Sequence, residues 1–164
     1  MFGSCNNLAT LDVSHFNTEN VTNMSGMFNV CSSLTTLDVS RFDTSNVKYM
    51  AYMFKDCKSL TSLDVRSFDT SNVTSMSQMF KGCKALTSLD LSKFDTSEVK
   101  YYWSEMFTDC ENLTSIKTPL NVHLDVNLPG TFYDKSGAAY TTLPKDMATS
   151  ILLTQDPQNN QNNS

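Results

Sequence analysis

Catalytic chemistry has little to stand on in this chain. Of its 164 residues only two are histidines, His15 and His123, and they lie in unrelated stretches. No nucleophile motif, phosphate-binding loop or metal-ligand spacing accompanies them, so neither an enzyme nor a cofactor is expected. Positive charge is also scarce. Twelve Lys and Arg stand against 17 Asp and Glu, a net charge of −5, which argues against nucleic acid or an anionic membrane as the main partner. No run approaches the roughly 18 apolar residues of a membrane span. No secretory leader opens the sequence either. Met1 already starts a Met-Phe pair that recurs, and the first unit lacks the polar-faced end that a stacked array needs. The chain is therefore read as a piece of a longer protein. Cysteines number five, an odd count that cannot pair fully, and they lack the close spacing of zinc sites.

What the sequence does have is a beat. Met-Phe recurs at Met1, Met27, Met53, Met79 and Met106, and cysteine at Cys5, Cys31, Cys57, Cys83 and Cys110. The period is 26 residues, with one insertion in the last interval. Self-similarity at such a period signals a stacked array. Four units and a partial fifth occupy 1–119, a β-rich cap is expected over 120–154, and the polar tail 155–164 reads as disordered linker.

Within a unit, Leu34-x-x-Leu37-x-Val39-x-x-Phe42 matches the leucine-rich-repeat template except at its asparagine position. Alternation through Leu37, Asp38, Val39 and Ser40 predicts a strand with Leu and Val inward. Asp43, Asp69 and Asp95, with Asn17 in the first copy, are positioned to cap a helix. Val47, Met50, Met53, Phe54 and Cys57 follow at helical spacing. The fold expected is an α/β leucine-rich-repeat-like solenoid, with a parallel strand on one face and a short helix on the other. A small β-hairpin cap, centred on Phe132 to Tyr140, closes it.

The run MFxxCxxLTSLDVSxFDTSxVxxM resembles the BspA-like repeat proteins of bacterial surfaces, in the branch also found in mycoplasma lipoproteins. That resemblance implies an extracellular or cell-surface protein. It further implies a non-catalytic, adhesin-type module whose partner is a host extracellular or neighbouring-cell protein. The alternative is a structural spacer that projects other domains.

Two sets of residues are candidates for contact. On the sheet face stand Thr36, Asp38, Ser40, Arg41, Ser62, Asp64, Arg66, Ser88 and Asp90. Here Asp12, Asp38, Asp64 and Asp90 form a column whose like charges, about 4.8 Å apart, must be offset. Ser or Thr hydroxyls, backbone amides of the following turn, Arg41 and Arg66, raised pKa values, or a cation or basic ligand would do so; calcium needs more converging oxygens than a ladder guarantees. Tyr101, Tyr102 and Trp103, beside the insertion, form either an aromatic contact patch or the filling of the gap it creates, and Tyr49 and Tyr52 share their side of the repeat. The cysteines lie in the inward stripe beside Met and Phe and are read as free, buried thiols.

Overall fold

The computed structural model describes residues 2–100, 103 and 105–156. Successive units lie on one another in register, but not in the way the sequence suggests. Along the return segment every second N–H group leaves its own unit. Met50, Tyr52, Phe54 and Asp56 donate to the carbonyls of Ser75, Ser77, Met79 and Lys81, at 2.7–3.0 Å. The residues between them turn back locally: Met53, Lys55 and Cys57 donate to Met50, Tyr52 and Phe54. An α-helix needs each N–H to reach the carbonyl four residues back, and this alternation denies it that ladder. Left-handed residues complete the break, at Gly26, Tyr52 and Gln78 (φ 63°, 60° and 53°) and at Val30, Asp56 and Gly82 (φ 61°, 58° and 73°).

The expected α/β leucine-rich-repeat solenoid is thereby overturned. Among the described residues there is no helix, and the regular strands form a single mixed sheet. The helical spacing of Val47, Met50, Met53, Phe54 and Cys57 marks burial instead, all five being 0% exposed. The supposed helix caps are Asx turns. Asp43, Asp69 and Asp95 each accept the N–H two residues on, from Ser45, Ser71 and Ser97 at 3.0 Å, and Asn17 does the same with Glu19 at 3.1 Å.

Strands β1 (Ser88–Asp90) and β2 (Ser115–Lys117) pair in parallel. Strands β3 (Asn127–Tyr133) and β4 (Ala139–Thr142) form an antiparallel hairpin, and β5 (Leu152–Thr154) lies between β2 and β3, antiparallel to both. The order is β1-β2-β5-β3-β4, so residues on either side of 119 share one sheet. Earlier units make only isolated contacts at this face, such as the bridge between Thr10 and Thr36. Strand β2, by contrast, is held on both edges, by β1 and β5. By covering the outer edge of β2, β5 removes an open template for further pairing. Of the tail expected from 155 onward, 157–164 lie outside the described residues.

The interior is built of columns. Phe2, Phe28, Phe54, Phe80 and Phe107 stack with centroids 5.7–6.2 Å apart and ring planes within 9°. All five cysteines are free, and four are buried. The thiols of Cys57, Cys83 and Cys110 donate to the carbonyls of Phe28, Phe54 and Phe80, 29 or 30 residues earlier, at 3.1–3.2 Å. Burial pushes Cys57 and Cys110 up to about 12, and Cys83 well above its ordinary value. A polar column runs beside them. Thr18, Thr44 and Thr70, at most 5% exposed, each donate through Oγ1 to the carbonyl of an aspartate in the next unit. Those aspartates are Asp43, Asp69 and Asp95, and each returns its N–H to the same hydroxyl at 2.8 Å. Thr96 continues the line to the Leu120 carbonyl at 2.8 Å.

Candidate functional site

The strand-side segments leave a groove of about 550 Å³ across the first three units. Thr10, Asp12, Thr36, Asp38, Ser62 and Asp64 line it, with Leu11 and Leu37. A second depression of about 270 Å³, lined by Ser62, Asp64, Arg66, Ser88 and Asp90, adjoins it through Ser62 and Asp64. Alternation sets this arrangement. Leu37 and Leu63 are buried at 7%, while Thr36, Asp38, Ser62 and Asp64 on either side of them are exposed.

Each aspartate of the column is tied to the turn that follows it. Oδ1 of Asp12, Asp38, Asp64 and Asp90 accepts the backbone N–H of Ser14, Ser40, Arg66 and Ser92 at 2.9–3.0 Å. Hydrogen bonding to the turn, one of the offsets considered for their repulsion, is thus present at all four. Among the described residues no group of three or more His, Cys, Asp or Glu is placed to hold a metal ion. The serine hydroxyl and then the backbone N–H hold Asp12 and Asp38 below the usual carboxylate value. The Arg66 side chain, hydrogen-bonded to Asp64, pulls that residue down to about 2. At Asp90 burial pushes upward, but Ser92, Lys117 and Arg66 together outweigh it and the net direction is down. All four are thus anionic at neutral pH.

The column is not electrostatically even. Arg66 grips Asp64 through Nε to Oδ1 at 2.9 Å and Nη2 to Oδ2 at 2.7 Å. Lys117 stands 3.7 Å from Asp90. Asp12 and Asp38 form no salt bridge among the described residues, although Arg41 exerts a weak attraction on Asp38. Ser40, Arg41 and Ser88 are exposed, and Ser88 opens β1. Ser40 and Arg41 do not line the groove, whereas Thr10 and Asp12 of the first unit do. The sequence places those two in the same columns as Thr36 and Asp38, so the repeat carried that signal.

The aromatic set separates. Trp103 is 1% exposed and its Nε1 has no partner among the described residues, so it belongs to the interior and not to a surface patch. Tyr101 and Tyr102 lie outside the described residues. Tyr49 and Tyr52, by contrast, are 46% and 40% exposed. The buried threonine column escaped the sequence reading, although Thr18, Thr44, Thr70 and Thr96 recur at one place in the unit.

The groove as a whole is acidic and lined with hydroxyls. A family model described as Mycoplasma protein of unknown function, DUF285, matches residues 1–134. Comparison with curated proteins and with solved structures gives no match.

Proposed function

The chain belongs to this mycoplasma family, and on that premise we propose that it is a non-catalytic interaction module of a bacterial cell surface. Its acidic groove would grip a basic, extended segment of a host extracellular or neighbouring-cell protein. The observation that carries the reading is the uneven groove. Hydroxyls and carboxylates recur at one spacing, and the two carboxylates at its N-terminal end, Asp12 and Asp38, have no salt-bridge partner among the described residues. Resemblance of the repeat to BspA-like surface proteins supports the extracellular placement and the adhesin-type role. Recurrent weak contacts also suit a low-affinity, multivalent grip, because linked sites gain from effective concentration.

Uniformity supports a second reading, a spacer that projects other domains. The same turn follows the column aspartate in all four full units, and a surface that monotonous need serve no ligand. Binding to purified extracellular-matrix and serum proteins separates the two. The native chain should bind at least one of them, and Asp12→Lys plus Asp38→Lys should abolish that binding. Retained binding in the double variant refutes the groove, and no binding across the panel favours the spacer.

A further inference from the structure

The return segment of the second unit carries a surface that the groove does not use. Tyr49 bridges Asn23 and Ser75 of the adjoining units, and the places equivalent to Tyr52 are held by Gly26 and Gln78. Both rings therefore have smaller neighbours beside them and are exposed, by a little under half. Tyr52 also occupies a left-handed backbone conformation, φ 60°, where the first unit uses Gly26 at 63°. A bulky side chain is an outlier there. Gln78 holds the same conformation in the third unit, φ 53°, so the position sets the backbone and the exposed aromatic ring is the departure.

Charge marks the same stretch. Lys48, Lys55 and Lys58 form no salt bridge among the described residues, while Lys81 and Lys84, the counterparts of Lys55 and Lys58 one unit on, are paired with Glu105 and Glu111. Lys55 Nζ lies 5.5 Å from the centroid of the Tyr52 ring. Asp56 is the only acidic residue between positions 48 and 58. In a chain of net charge −5, positions 48–58 are thus a basic, aromatic stretch in which Lys48, Tyr49, Tyr52 and Lys58 are exposed.

We propose that Lys48, Tyr49, Tyr52, Lys55 and Lys58 bind a linear acidic polysaccharide. The tyrosine rings offer flat apolar faces to the C–H faces of pyranose rings, and their hydroxyls keep the surface wet. The lysines meet sulfate or carboxylate groups through charge-assisted hydrogen bonds. An anionic membrane fits less well, because a plane of negative charge confronts the net charge of the whole molecule. A single flexible strand touches the patch alone.

The test uses the full chain and a heparin-type sulfated polysaccharide as probe, with neutral dextran as control. The repeat itself supplies the variant: Lys48→Thr, Tyr49→Ser and Tyr52→Gly install residues that neighbouring units carry in the same columns. Because glycine relieves the left-handed strain, the variant should melt at the same temperature as the native chain or higher. The native chain should bind the sulfated polymer with an affinity that falls as salt is raised, and the variant should bind at least about tenfold more weakly. Equal affinity in the variant, equal binding to dextran, or tighter binding to anionic vesicles or a single-stranded oligonucleotide would each overturn the assignment.

Discussion

Removing one hydroxyl from the buried threonine column should cost more than its size suggests. Thr70 is 1% exposed. Its Oγ1 donates to the Asp95 carbonyl at 2.9 Å and accepts the Asp95 N–H at 2.8 Å. Thr70→Val keeps the volume and strands both backbone groups. An unsatisfied buried donor or acceptor costs about 1–3 kcal/mol. Asp95 is half-buried, so water recovers part of that penalty, and the expected loss is about 2–4 kcal/mol. Thr70→Ser is the control, since it retains the hydroxyl and gives up one methyl, about 1 kcal/mol. Equilibrium denaturation of the three proteins, followed by circular dichroism, measures the difference. If the valine variant lies within about 0.5 kcal/mol of the native protein, or if serine and valine cost the same, the hydroxyl is not what joins the units there.

Three further outcomes follow from the same contacts. Under native conditions at mildly alkaline pH, a thiol reagent should label Cys5 first, because Cys31, Cys57, Cys83 and Cys110 are buried. Denaturation should expose all five, and mass spectrometry counts the adducts; rapid native labelling of Cys83 would contradict its burial. Acid should destabilise the fold late. The folded values of Asp12, Asp38, Asp64 and Asp90 lie below the unfolded value of about 3.9, that of Asp64 at about 2. Their contribution is therefore complete above about pH 4 and is lost as pH falls toward 2; melting temperatures that decline steadily between pH 7 and 5 would place the responsible groups elsewhere. Gly82→Ala should cost about 1–2 kcal/mol, because its φ is 73° and a Cβ would stand 2.5 Å from Asp56 Oδ1. A neutral result by denaturation would mean that the turn relaxes.

Much of the architecture could be read in the chain, and the part that could not has a definite cause. The inward columns of Leu, Val, Phe, Met and Cys were legible because burial alone selects them. The helix was not, because turns joined at left-handed residues also bury one residue in every three or four. Val30, Tyr52, Asp56 and Gln78 occupy those left-handed positions, and Val, Tyr and Gln carry no turn signature. The Asx turns at Asp43, Asp69 and Asp95 give the same local signal as helix caps, since in both an aspartate oxygen accepts a nearby backbone N–H. Only the fate of the next N–H groups separates them, and these depend on the neighbouring unit. At the groove, the aspartate column and its ties to the following turn were foreseeable. Arg66 was a candidate to offset the column and pairs with Asp64, but the pairing of Lys117 with Asp90 was not legible, since Lys117 reaches Asp90 only because β1 and β2 are neighbours.

A stack joined by backbone hydrogen bonds leaves its exposed columns free to vary. Threonine and cysteine hold their places because each hydrogen-bonds the backbone of a neighbouring unit, and phenylalanine because it stacks on its equivalent one unit away. The position at 23, 49 and 75 carries Asn, Tyr and Ser, and that at 26, 52 and 78 carries Gly, Tyr and Gln. These departures cannot be demanded by the stacking, since the stacking persists through all of them. Nor does stability favour the tyrosine at 52, where glycine would relax the backbone. A residue that neither the fold nor its own conformation favours needs another reason to be there, and exposure to a partner supplies one. The same reasoning ranks the groove residues. Asp12 and Asp38 make the Asx turn that Asp64 and Asp90 also make, so the turn accounts for all four carboxylates equally. What distinguishes the first two is the lack of a paired cation, and a ligand would therefore engage that end of the groove first.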